Sequence, residues 1–269
     1  MPHLPLEGSE ALRYEYSPPA GPDGVCFVFF NPLTGSLDFW AGGIAPALRA
    51  QGHGTLLWNL RGQADSPAGA DRILDTELAI ADARRLLDKL EPPRPVLVGH
   101  SIGGLYAARV VERGYPARAL ALINTLRRDG PRLRWINDAL FRAAQVGGLR
   151  LLRDLFAPRL FGEGWLAAHR SEFLDPAPYQ PLDPADGHYR LLRDSAGTDW
   201  DVPWEQLDLP TLVMTGLEDG LFYDQTDIDR LLARLPQGRR VDVTDAGHML
   251  PAERPRRVID ELLVLAESA

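Results

Sequence analysis

The stretch PVLVGHSIGGLYAARVV, residues 95–111, runs from apolar residues straight into a serine set among glycines, and out again into a helix-like segment. A continuous apolar run suits a strand covered on both faces. The segment beyond it, residues 102–113, reads as a helix stopped by Gly114 with Pro116 following. Gly99-His100-Ser101-Ile102-Gly103 therefore fits G-x-S-x-G in the strand–turn–helix context that gives the motif meaning. Such a reversal forces the serine into a strained conformation, with its Oγ projecting at the strand's carboxyl end. Residues two before and two after it must be small, hence Gly99 and Gly103. The same turn sets Ser101 at a helix N-terminus, where the dipole and free N–H groups favour an anion.

Working outward, strand-like and helix-like segments alternate, which predicts an α/β fold with a mostly parallel central sheet flanked by helices. Strands are expected at residues 25–30, 55–60, 95–99, 119–124, 211–216 and 240–245. Helices are expected at 37–50, 71–90, 102–113, 227–235 and 256–266. The alternation lapses over residues 125–205, where helical pieces rich in large apolar residues are separated by proline-rich linkers such as DPAPYQPLDP at 175–184. This predicts a core of residues 1–124 and 206–269 interrupted by a helical cap at 125–205.

Composition bounds the function. With 269 residues, 45% of them hydrophobic, the chain can bury a sizeable core. A net charge of −8, with scattered arginines and a single lysine, Lys89, weighs against nucleic acid as a partner. One cysteine, Cys26, allows neither an internal disulfide nor a multi-cysteine metal site, and its place in VCFVFF predicts burial. No apolar run approaches a membrane span, and no basic leader precedes an apolar stretch, so the expected location is cytoplasmic. Oligomeric state is not written in the sequence.

A serine hydroxyl is a weak nucleophile at neutral pH and needs a base, itself oriented by a third group. Such groups should lie at the carboxyl ends of later strands. TLVMTGLEDG sets Asp219 just past one strand, and RVDVTDAGHMLPAERP sets His248 just past the next. Glu218, Asp224 and Asp245 rival Asp219, whereas His3, His53, His169 and His188 read as solvated or structural.

Taken together, VGHSIGG, GLEDG and DAGHMLPAERP resemble the triad motifs of the α/β-hydrolase superfamily, and the resemblance spans essentially the whole chain, cap included. It implies Ser101 as nucleophile, His248 as general base and Asp219 as the acid that fixes the imidazole tautomer, with no cofactor and no metal. His100 is then expected to pack beside the turn. The oxyanion formed on attack needs preorganised N–H donors, and the resemblance implies the Ile102 N–H as one. Relatives commonly carry His-Gly in the loop supplying the second. Here the loop reads Asn31-Pro32-Leu33-Thr34-Gly35, and aligning Asn-Pro with His-Gly makes Leu33 the donor. A second departure is LRGQADSPAG at 60–69, with Gln63-Ala64 where relatives have His-Gly; a surface turn accounts for it equally well.

Aromatic residues of the 125–205 segment, Trp135, Phe141, Phe156, Trp165 and Trp200 among them, predict an apolar pocket. The expected substrate is a medium-sized, largely apolar ester or thioester, a small-molecule acyl donor cleaved through an acyl-enzyme. The same three groups can act on a carbon–carbon bond, lactone, amide or peracid, or transfer the acyl group to an alcohol. A ligand receptor with a slow triad is the reading from another class. Arg127, Arg128, Arg132 and Arg134 are expected to be solvated, with none singled out as an anion anchor.

Overall fold

The computed structural model describes residues 2–269. Eight strands form one sheet: β1 (His3–Pro5), β2 (Ala11–Ser17), β3 (Cys26–Phe30), β4 (Gly54–Trp58), β5 (Pro95–His100), β6 (Ala119–Ile123), β7 (Thr211–Gly216) and β8 (Gly238–Val243). Their order across the sheet is β1-β2-β4-β3-β5-β6-β7-β8. β1 and β2 are antiparallel to their neighbours, and every pairing from β4 to β8 is parallel.

Alternation along each strand divides the core between the two faces of the sheet. Cys26, Val28 and Phe30 of β3 join one cluster, with Leu97, Leu120 and Leu122. Phe27 and Phe29 join the other, with Val96, Val98, Ala119 and Ala121. Cys26 is fully buried, and burial pushes its thiol up to about 12, as expected of a core residue.

Among the described residues, ten α-helices complete the fold: α1 (Asp38–Ala41), α2 (Ile44–Ala50), α3 (Thr76–Leu90), α4 (Ile102–Glu112), α5 (Pro131–Leu160), α6 (Glu163–Ala168), α7 (Gly187–Asp194), α8 (Gln225–Leu232), α9 (Leu250–Glu253) and α10 (Pro255–Glu267). The single helix expected at 37–50 is two, parted at Gly42-Gly43. The helix expected from residue 71 begins at Thr76, because Asp75 caps it by accepting the Leu78 N–H at 2.9 Å. Between β6 and β7 the described residues contain helices and no strand. Within α5 the chain breaks at Gly147 and Gly148, the latter with φ 72°. A side chain on Gly148 would collide with the Gln180 carbonyl, so the proline-rich linker lies against this break. Among the described residues, no helix is long and apolar enough to cross a membrane.

The 60–69 loop is no surface turn. Arg61 is 3% exposed, and Gln63 and Ser66 are fully buried. The Arg61 guanidinium meets Asp82 of α3 in a two-bonded fork at 2.7 and 2.5 Å, and Glu10 at 2.7 Å. Burial raises Asp82 despite the opposing guanidinium, whereas the Arg72 bond leads in holding Glu10 down at about 2. Removing one member of a buried cluster leaves charge without a partner. Arg61→Ala should therefore lose about 3–5 kcal/mol of unfolding free energy, read by urea denaturation; a loss below about 1 kcal/mol would contradict this account.

Candidate active site

The turn expected at residues 99–103 is present. β5 ends at His100, α4 starts at Ile102, and Ser101 between them has φ 56° and ψ −125°. This strained backbone is held because the Ser101 N–H donates to the Ile123 carbonyl of β6 at 2.8 Å. Thr125 Oγ1 donates to the Ser101 carbonyl at 3.0 Å. A Cβ on Gly103 would stand 2.6 Å from the Asn31 carbonyl oxygen and closer still to that of Phe30. The missing side chain thus lets α4 seat directly on the end of β3.

His248 and Asp219 lie past β8 and β7, on the same edge of the sheet. His248 Nδ1 is 2.7 Å from Asp219 Oδ2, and both side chains are buried. A carboxylate there makes Nδ1 the protonated nitrogen and leaves Nε2 as the acceptor. The other oxygen, Oδ1, accepts the N–H groups of Leu221 and Phe222 at 3.0 and 2.9 Å. Burial would raise Asp219, but the His248 charge, the imidazole bond, the Phe222 N–H and the Arg127 charge outweigh it and lower its pKa to about 2. The rivals are engaged elsewhere. Glu218 accepts the Glu163 N–H at 2.7 Å, Asp224 caps α8, and Asp245 pairs with Arg254, all three exposed.

His100 is fully buried, and burial, followed by the His248 charge, lowers it to about 3. Its neutral ring stacks on Phe39 at 5.2 Å and donates from Nε2 to the His248 carbonyl at 2.7 Å. It holds the loop of the second histidine.

Ser101 and His248 share the wall of a cavity of about 300 Å³. Leu33 and Ile102 line it from the core, and Leu140, Leu152, Leu192 and Trp200 from the residues between β6 and β7. A wider groove of about 880 Å³ runs by Glu10, Arg72 and Glu77 at the β1–β2 side, where neither Ser101, His248 nor Asp219 contributes. In the first cavity Ser101 Oγ makes no hydrogen bond to His248; it accepts one from Arg127 Nη2 at 3.2 Å. Arg127 is thus a correction to the sequence expectation. It is 7% exposed and wedged between the rings of Trp200 and Phe222, 4.5 and 4.2 Å from its guanidinium carbon. Its place immediately after the β6 strand, on the edge that carries Ser101, was the available signal.

The two departures in sequence prove to be one feature. Gln63 Nε2 donates to the carbonyls of Pro32 and Leu33 at 2.9 and 3.1 Å. Asn31 Nδ2 donates to Gln63 Oε1 at 3.0 Å, while Trp40 Nε1 donates to Asn31 Oδ1 at 2.9 Å. The 31–35 loop is therefore clamped by side-chain amides. The Leu33 N–H meets no backbone acceptor, and Ile102, first in its helix, has no intrahelical one.

A family model described as "Alpha/beta hydrolase family" matches residues 20–261. A protein of Variovorax paradoxus (strain S110) with the provisional name carbamate hydrolase RutD is 30% identical over 223 residues, covering 78% of this chain and 79% of its own. Two solved structures share the fold. The α/β hydrolase MGS-M2, from a Medee basin deep-sea metagenome library, has a TM-score of 0.82 at 19% identity, over 96% of this chain and 94% of its own. The enol-lactonase of Burkholderia xenovorans LB400 has a TM-score of 0.80 at 22% identity, over 98% and 99%.

Gly103→Ala tests the close approach of α4 to β3. The variant should lose more than about 2 kcal/mol of stability or fail to fold, as judged by thermal and urea unfolding. A variant as stable as the parent would mean that the backbone there has room to spare.

Proposed function

Because the chain belongs to the alpha/beta hydrolase family, we propose that it is a serine hydrolase that cleaves a medium-sized, largely apolar ester or thioester through an acyl-enzyme. The observation that carries this reading is a strained serine and a carboxylate-bound imidazole on one cavity wall. Ser101 is the nucleophile. Its Oγ accepts from Arg127, so its own O–H remains free to turn toward His248 Nε2 as substrate enters. His248 takes that proton and returns it to the leaving group. Asp219 stabilises the imidazolium without itself being protonated. The Ile102 and Leu33 N–H groups receive the oxyanion, and Gln63 holds the loop that presents Leu33. Residues 125–205 serve as a cap over the core formed by 1–124 and 206–269. The apolar side chains that α5 and α7 contribute to the cavity support both the cap and the apolar substrate.

A second reading keeps the residues and changes the bond. The name of the 30% identical relative favours a carbamate, and that of the lactonase a lactone; both present a carbonyl to the same nucleophile.

A fluorophosphonate probe should label wild-type protein at Ser101, located by peptide mass, and Ser101→Ala should be neither labelled nor active on short p-nitrophenyl esters. Labelling that persists in Ser101→Ala would sink the assignment. Labelling without turnover of any ester, carbamate or lactone would favour a receptor instead. Asp219→Asn should lower kcat by about 10⁴ through the wrong imidazole tautomer. Gln63→Ala should lower kcat by about tenfold to a hundredfold with little change in KM, as expected when a donor to the oxyanion is displaced. A rise in KM alone would place Gln63 in substrate binding.

A further inference from the structure

Arg127 is a buried cation whose charge meets no carboxylate. No acidic side chain lies within salt-bridge distance of it among the described residues, although the arginines at 61, 72, 109, 113, 234, 239 and 240 all have acidic partners. Its acceptors are neutral: the Asn124 carbonyl at 2.7 Å, the Thr125 carbonyl at 3.3 Å and Ser101 Oγ at 3.2 Å. These engage Nε and Nη2, and Nη1 donates to no protein acceptor. Asp219 adds a favourable field but is already bound to His248, Leu221 and Phe222. Burial pulls Arg127 down to about 10, which leaves it protonated at neutral pH. Arg127 lines two cavities: a small one of about 160 Å³ that also carries Asp129, Asp224 and Asp227, none within salt-bridge distance of it, and the one it shares with Ser101, whose wall has no aspartate or glutamate. Two aromatic faces hold the guanidinium in place.

A buried charge without a partner is costly, and the cost persists in structures where a ligand supplies the opposite charge. We propose that Arg127 is the anchor for a carboxylate carried by the substrate, two or three bonds from the carbonyl that Ser101 attacks. The spacing follows from the short distance between Nη2 and Ser101 Oγ, because an anion on the guanidinium must lie next to the acyl carbon bound at that oxygen. The substrate is then an acyl compound of medium size with one carboxylate close to the reacting carbonyl and an otherwise apolar skeleton that fills the rest of the cavity. This rests on the serine reading above and narrows it.

Malonate and neutral malonamide are the probes, with fluorophosphonate labelling of Ser101 as a readout that needs no turnover. Malonate should slow labelling of the wild-type protein by about tenfold at saturation and malonamide should not, whereas Arg127→Met should be labelled at a rate indifferent to malonate. In parallel, wild-type kcat/KM for monomethyl malonate should exceed that for methyl butanoate by about tenfold or more. The preference should shrink through monomethyl succinate to monomethyl adipate, and should fall at least about tenfold in Arg127→Met. Equal protection by malonate and malonamide, protection by neither, or unchanged protection in Arg127→Met would overturn the anchor. Should Arg127→Met not fold, by circular dichroism, the wild-type protection and the ester series decide on the same terms. Failure of wild-type Ser101 to label at all would sink the serine reading instead, which separates the two.

Discussion

The backbone contact between α4 and the end of β3 is the constraint on which the rest of the site depends. Gly103 lies against the Phe30 and Asn31 carbonyls, and Gly99 against the backbone of Gly103 and Gly104. Only that proximity allows the chain to reverse within one residue, and the reversal is what gives Ser101 its positive φ. The helix N-terminus and the 31–35 loop are brought side by side as a result, so that Ile102 and Leu33 line one cavity. The strain at Ser101 is sustained by fixed partners on both sides, Ile123 beneath and Thr125 beside it.

What could be read from the chain follows from how local each constraint is. Ser101 was legible because the turn dictates its own neighbours. The placement of Asp219 and His248 was legible because each follows a readable strand, continuously buried in β7 and alternating through Val241 and Val243 in β8, and parallel strands deliver their carboxyl ends to one edge. The antiparallel edge was missed. β2 carries buried Leu12 and half-buried Tyr14 and Tyr16 alternating with arginine and glutamate, a period-two signal too short to stand out from a loop. Arg127 was misjudged, and Gln63 was left open, for a different reason. A polar residue reads as solvated unless its partners are known, and those partners lie 26 and 31 positions away in the chain.

The buried polar groups also tie two loops beside the cavity together. Asn31, Asn59, Gln63 and Trp40 exchange hydrogen bonds in a site with almost no exposure. Such a group is costly when half-made and stiff when complete, so its members are expected to change together. Asn31-Pro32 and Gln63 are in this sense one unit spread over two loops.

The attachment of α5 has a consequence for the loop that carries His248. The Leu160 carbonyl, at the last turn of α5, accepts the N–H groups of both His248 and Met249, at 2.6 and 3.2 Å. The Glu253 carboxylate bridges the Gly162 and Gly247 N–H groups at 2.7 and 3.0 Å. The far end of α5 and the imidazole loop are therefore one mechanical body. A displacement of this end of α5 would carry the 247–249 loop, and the His248 ring with it. The position of that ring is thus set by four backbone amides contributed from two distant stretches of the chain.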